Sequence, residues 1–356
     1  MTSIESFQPD WSSPPGNTIR SVLGNRAISD EAFASSLGES VEFARELLDG
    51  RTTITISLAR RLVGVLGASV EFWMTRDFQY RQEPFAENDE LSKWRKQLPI
   101  GDMIRFGWLK PAPRPSEETA SCLNFFGVDD VVLWETRYST LSQMAVFKRT
   151  ETFESKVPSV AAWLRQGEIE AQQIKCNSWI SSKFSDCLEN VRKLTKIKNP
   201  QVFVPKLQQI CASAGVAVVV VRAPSGCPVS GATRFISPTK AILQLSFRYL
   251  SDDHFWFTFF HEAGHLILHG TNRLFLEDGD HIPDTLEEEA NEFAEQSLFP
   301  QPYLEELFRL RVNTRDVIRF ATRIGIAPGI VVGQLQHYGK IKPSQLNRLK
   351  RRYVWT

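Results

Sequence analysis

Residues 255–270 read FWFTFFHEAGHLILHG, and residues 287–300 read EEEANEFAEQSLFP. The first stretch is apolar enough to be buried, runs to Gly270, and is preceded by Ser251 and Asp252, either of which can cap a helix. A helix over about 252–269 is therefore expected. It carries His261-Glu262-Ala263-Gly264-His265, an HExxH spacing. Residues four apart stand one above the other on a helix face, so both imidazoles can grip one metal ion, and Glu262 lies beside the open position. Burying two histidines and a glutamate in such a helix is costly without partners. The second stretch predicts another helix, over about 285–299, stopped by Pro300.

Two neutral nitrogens, one carboxylate oxygen and a place for water suit Zn2+. A metzincin arrangement would need glycine at 268 and histidine at 271, where this chain has Leu268 and Thr271. The third ligand is then expected from Glu287, Glu288 or Glu289. Glu287 is favoured, because Asn291 lies one turn later and can brace a ligand. Glu288 and Glu289 read as solvated acids. Ala290 and Ala294 leave room for close packing on the first helix. His269 stands one turn past His265, where it can bond to a ligand or cap the helix C-terminus. Glu262 is the expected general base.

Working outward, the preceding segment is β. Ala217–Val221 is a β-branched run between Gly215 and Pro224, and Ala241–Arg248 alternates. Gln244, Leu245 and Ser246 are expected on an edge strand that could hold a substrate backbone by β-addition, with an internal core strand as the competing assignment. The region 84–200 scatters Trp and Phe at helical spacings between prolines and reads as a helical connector. Residues 1–15 are polar and end in Pro14–Pro15, as a loose leader would.

HEAGHLILHG followed by EEEANEFAEQSLFP resembles the ImmA/IrrE-type metallopeptidases, small gluzincin-like proteases of bacteria. The resemblance covers about 200–310. It implies a zinc endopeptidase with His261, His265 and Glu287 as metal ligands, Glu262 as catalytic base, and a repressor-type protein as substrate.

Near the start, residues 30–49 show the spacing of a helix-turn-helix unit: Ala34, Gly38 at the turn, Ala44, and Leu47 behind. The helices are expected at about 30–37 and 40–49. The stretch 15–80 resembles the HigA-like branch of the Xre-type DNA-binding domains. That resemblance implies operator DNA as a partner, with Ser40, Glu42 and Arg45 facing the major groove, and two-fold pairing of chains. The charge is unfavourable: residues 16–83 hold eight arginines and nine acids. The tail repeats the spacing in Ala321, Gly325 and Val331, within a 309–356 segment that has eleven Lys or Arg and one acid. Either a second helix-turn-helix or a helical buttress fits it.

Composition bounds the remainder. The chain has 356 residues, 42% hydrophobic, with a net charge of +1, so low complexity and a dominant electrostatic field are excluded. Five cysteines with no CxxC pair exclude a disulfide scaffold or a cysteine zinc module. The start lacks the basic and apolar regions of a secretory signal, and no apolar run approaches a membrane span. A cytoplasmic, membrane-free protein is expected. The fold class expected is α+β, predominantly α. The divisions are a leader at 1–15, a helix-turn-helix bundle at 16–83, a connector at 84–200, a gluzincin-like domain at 201–308 and a basic helical tail at 309–356. The alternative function is a DNA-binding regulator or antitoxin whose metal is structural, with His269 or His281 as fourth ligand.

Overall fold

The computed structural model describes residues 14–81, 89–139, 141, 156–270, 274–277, 285–301 and 303–355. The expected leader, apart from its last residues, and His281 lie outside them. The protein is α+β and predominantly α. It divides into two compact units: residues 1–100 with 107–140, and residues 101–106 with 141–356. The region expected as a single connector is thus shared between the units.

The first unit begins with five helices: α1 (Pro15–Asn25), α2 (Asp30–Leu37), α3 (Val41–Leu48), α4 (Ile56–Leu66) and α5 (Val70–Arg81). Each boundary has a local cause. Ser29, Ser40 and Thr55 accept hydrogen bonds from the backbone N–H groups of Ala32, Phe43 and Leu58, capping α2, α3 and α4. Gly38 ends α2 at φ 71°, a conformation that favours glycine. Ile19, Phe33, Ala34, Leu37, Ala44 and Leu47 share one core, so the spaced residues point inward. The same unit continues through α6 (Asp89–Gln97), α7 (Ile100–Arg105, of which residues 101–105 group with the second unit), α8 (Pro115–Phe126) and α9 (Val131–Arg137). Trp94, Phe126, Trp134 and Tyr138 stack edge-on or tilted at 5.3–6.1 Å between α6, α8 and α9.

The second unit is built on a sheet. Its strands are β1 (Val216–Val220), β2 (Gly231–Ser237), β3 (Lys240–Leu245) and β4 (Phe275–Glu277), in the order β1-β3-β2-β4. β1 and β3 are parallel, and the other pairings are antiparallel. Alternation sends Ala241, Leu243 and Leu245 into the main core. It sends Gln244 to the opposite face, where its amide donates to the Trp163 carbonyl at 2.7 Å. That face is covered by α10 (Val157–Gln173), where Gly167 leaves the space that the Gln244 side chain fills. Gln244, Leu245 and Ser246 are buried, and β3 is paired on both sides. The edge-strand expectation for these three residues is therefore wrong. Among the described residues the edges are β1 and β4.

Helices α11 (Ser181–Leu194) and α12 (Pro200–Ala212) lead into β1. The HExxH helix is α13 (Asp252–Leu268), and it is followed by α14 (Thr285–Leu298), α15 (Tyr303–Arg309), α16 (Thr314–Ile324) and α17 (Pro328–His337). Phe203 of α12 packs on Phe255 and Trp256 of α13 at 5.5 and 5.1 Å. The tail pattern forms a hairpin, turning on Gly325 at φ 81°. Its second helix is not available to a DNA groove. Ile330, Val331, Val332 and Leu335 of α17 lie in the main core with the α13 aromatics. The tail hairpin is a buttress.

The start of α13 is held from far along the chain. Arg351 donates its backbone N–H to Asp252 Oδ1 at 3.0 Å, and Asp252 donates its own to the Arg351 carbonyl at 3.1 Å. Lys350 pairs with Asp253 at 2.5 Å, and the Tyr353 N–H bonds to the Leu250 carbonyl. Ser251 occupies the cap position without a side-chain capping bond.

Candidate metal centre

The centre lies between α13 and α14. Gly264 allows the approach: a Cβ there would stand 3.1 Å from the Phe293 ring and 3.3 Å from the Ala290 Cα. Ala290 and Ala294 are fully buried on the facing side. α14 is held further by Arg192, whose guanidinium donates twice to the Leu298 carbonyl, at 3.0 and 3.1 Å. Gln334 and Tyr338 both donate to Glu295. These contacts hold the C-terminal half of α14, while the close approach of Ala290 to Gly264 sets the half that carries Glu287 over the histidines.

His261 and His265 are each 1% exposed. Glu287 Oε2 lies 3.2 Å from His261 Nε2, Glu287 Oε1 lies 3.5 Å from His265 Nε2, and the two Nε2 atoms are 3.0 Å apart. Among the described residues, this trio is the one cluster of three or more His, Cys, Asp or Glu with ligand atoms gathered for a metal. Glu288 is exposed, and its neighbour Glu289 points elsewhere.

The donor set fits a divalent cation. His261 Nδ1 lies 3.0 Å from Asn291 Oδ1, an acceptor, so the proton sits on Nδ1 and Nε2 presents a lone pair. His265 Nδ1 lies 2.9 Å from His269 Nδ1, and His269 Nε2 lies 3.0 Å from Glu289 Oε2. The Glu289 carboxylate accepts from the His269 Nε2–H, so His269 Nδ1 accepts from the His265 Nδ1–H and His265 Nε2 keeps a lone pair as well. Two lone pairs and a carboxylate then converge, an arrangement a cation relieves. Tetrahedral zinc with ~2.0–2.1 Å bonds needs ligand atoms about 3.3 Å apart, close to the separations here. Electrostatics agree. Burial holds His265 below the usual imidazole range, with His261 and His269 adding to the effect and Glu287 opposing it. Burial acts to raise Glu287, but the adjoining imidazoles of His261 and His265 outweigh it and hold the carboxyl well below the usual range.

Glu262 is fully buried beside this centre. A Cβ at Gly231, the first residue of β2, would stand 2.5 Å from Glu262 Oε1 and 2.6 Å from Thr258 Cγ2. β2 can pass this close only with glycine at that position.

Most of the sequence-derived site residues meet here: His261, Glu262, His265, Glu287, Asn291 and His269. Glu289, read as a solvated acid, instead bonds to His269; a surface glutamate twenty residues from its partner leaves no sequence signal. His269 also ends α13, its N–H bonded to the His265 carbonyl at 3.1 Å. Ser40, Glu42 and Arg45 lie in the other unit, exposed on or beside α3. The Ser40 hydroxyl accepts from the Phe43 N–H, so it serves as a cap.

The family comparison agrees with this geometry. Residues 215–335 match the family model of the IrrE N-terminal-like domain, Peptidase_M78. The match runs from the start of the sheet through both metal-site helices and into α17. It supports the ImmA/IrrE-type resemblance for this part of the chain. No curated protein matches the chain. No described helix is long and apolar enough to cross a membrane.

Proposed function

We propose that the chain is a zinc-dependent endopeptidase whose substrate is a regulatory, repressor-type protein of the cytoplasm. The observation that carries this reading is the convergence of His261, His265 and Glu287 with Glu262 alongside, inside a segment that matches a peptidase family. His261, His265 and Glu287 would hold the ion. When bound, zinc lowers the pKa of water and polarises a carbonyl. Glu262 accepts the proton of the attacking water and delivers it to the departing amine nitrogen. Asn291 and the Glu289–His269 pair keep the two imidazoles in the tautomer that presents Nε2. Gly231 keeps the space above Glu262 clear of a side chain.

The α1–α5 bundle is proposed as the targeting module, of Xre helix-turn-helix type, acting as a homodimer on operator DNA or on a protein partner. Glu42 and Glu46 on α3 weigh against phosphate contacts there. The competing reading, a regulator with a closed structural metal site, needs a fourth protein ligand. His269 is committed to His265 and Glu289, which disfavours it in that role.

Metal analysis tests the site. Purified protein is expected to hold about one zinc per chain. His261→Ala and Glu287→Ala are expected to lose it, whereas Glu262→Gln keeps the metal and abolishes peptide cleavage. Zinc retained in both ligand variants would overturn the ligand assignment, and cleavage by Glu262→Gln would overturn the mechanism.

A further inference from the structure

Helix α16 turns one face inward and one outward. Val317, Phe320, Ala321 and Ile324 lie in the main core. Arg315, Ile318, Arg319 and Thr322, three or four residues apart, form the exposed face. The chain leading into the helix adds Arg309 and Arg311, both exposed. Arg348 comes from further along the tail. Its guanidinium donates to the Thr314 hydroxyl at 2.6 Å and so joins the row at the start of the helix.

The charge of this row is not neutralised within the chain. Arg309, Arg311, Arg315 and Arg319 form no ion pair with any described residue. By contrast, Arg20, Arg61, Arg95 and Arg165 meet carboxylates, and Arg26 and Arg192 meet carbonyl oxygens. The acids closest in sequence to the row are mostly engaged already. Asp316 bonds to Asn313, the residue that caps α16, and Glu306 pairs with Arg323. Arg315 and Arg319 stand one turn apart and repel each other, a cost that an array of anions would relieve.

The surroundings select the class of anion. The apolar side of α16 is taken up by the core, so the helix has no apolar face to lay into a membrane. The neighbouring Phe308 ring is engaged by Tyr338 at 4.7 Å and by the Lys340 ammonium at 5.4 Å, rather than presented as a platform for unpaired bases. Guanidinium groups in a row, each able to hold a phosphate through two parallel hydrogen bonds, match the regularly charged backbone of a duplex.

We propose that the outer face of α16, with Arg309, Arg311 and Arg348, binds the phosphate backbone of duplex DNA irrespective of sequence. Phosphate contacts position a protein on DNA and carry no sequence information of their own. This surface is separate from the one proposed on α1–α5, and it does not depend on the peptidase reading.

The test uses the full-length protein and labelled duplexes of about 25 base pairs in two unrelated sequences, with binding read by fluorescence anisotropy between about 50 and 200 mM salt. The two duplexes are expected to bind within about twofold of each other. For five phosphate contacts, log K should fall against log salt with a slope of about −4.5. The triple variant Arg311→Gln, Arg315→Gln, Arg319→Gln is expected to bind on the order of 100-fold more weakly at about 0.1 M salt, with a slope shallower by about 2.7. The corresponding triple lysine variant keeps the charges and should bind within about threefold of wild type. No binding by the wild-type protein, or a slope that the glutamine variant leaves unchanged, would overturn the proposal. Equal loss in both triple variants would place the effect in the fold rather than in the charges and would also overturn it. So would loss in Arg45→Gln alone, which would assign the DNA contact to α3. Binding to phosphatidylserine vesicles in place of duplex, abolished in the glutamine variant, would assign the face to a membrane and overturn it as well.

Discussion

The α2–α3 and α16–α17 hairpins have the same spacing of small residue, turn glycine and apolar residue: Ala34, Gly38 and Ala44 in one, Ala321, Gly325 and Val331 in the other. Both glycines turn in the left-handed region, at φ 71° and 81°. The fates of the second helices differ. α3 exposes Glu42, Arg45 and Glu46 and buries one side in a small bundle. α17 buries Ile330, Val331, Val332 and Leu335 behind the metal helix. Gly329 and Gly333 bring α17 against Asp252 and Asp253, with a Cβ at either glycine falling 2.3 and 2.8 Å from those carboxyl groups. The spacing therefore specifies a turn between two helices and says nothing of what the second helix does. Its apolar content decides that. Within the tail hairpin the exposed charge sits on α16, at Arg315 and Arg319 among others, rather than on the helix that would have to enter a groove.

The most severe way to break this contrast is Val331→Asp. It places an unpaired charge in the main core and is expected to cost over 4 kcal/mol. Urea unfolding should show the second unit destabilised and zinc released at lower denaturant. A variant of near-normal stability would mean that α17 is peripheral.

A more selective probe is Asp252, seated at Gly329. Burial pushes its carboxyl up to about 6 from 3.8, the charge of Asp253 adds to this, and the backbone N–H of Arg351 and its guanidinium oppose it. Between those values the folded chain keeps a proton that the unfolded chain releases. Stability from this group is therefore fully present below about pH 4 and falls as pH rises to about 6. Relative to Asp252→Asn, the wild-type protein should lose on the order of 3 kcal/mol across that window. Urea midpoints of the two proteins at pH 4 and pH 7 would show it, and parallel curves would place the carboxylate in solvent.

The smallest effect is expected at α3. Glu42→Ala and Glu46→Ala touch only solvent-facing positions and should shift stability within about 0.5 kcal/mol. Thermal unfolding would check this. The same pair sharpens the contrast in function, because removing acids from α3 should strengthen any binding to duplex DNA, measured at fixed salt.

Much of this was legible in sequence where one local rule dominated. Gly38 and Gly270 punctuate helices by their own chemistry, and the expected 30–37 helix matches the observed bounds, whereas Ser40, expected to face DNA, turns out to be a cap. The convergence of His261, His265 and Glu287 was legible because two helical periodicities and one carboxylate run sufficed. Placements set by partners distant in the chain were not legible. Gln244 looks like a polar edge residue until the Trp163 carbonyl, 81 positions away, accepts its amide. β2, with the sequence GATRFIS, has neither a β-branched run nor clean alternation, so the strand that closes over Glu262 gave no local signal. Glu289 reads as a solvated acid until α14 is laid on α13 and it meets His269.

The attachment of Arg351 to Asp252 joins residues 99 positions apart. During synthesis at about 5–20 residues per second, the HExxH helix precedes the segment that seats its first turn by roughly 5–20 s. A nascent chain thus carries every metal ligand before it owns the anchor that steadies their helix. The order of translation itself delays completion of the site until the fold around it can close.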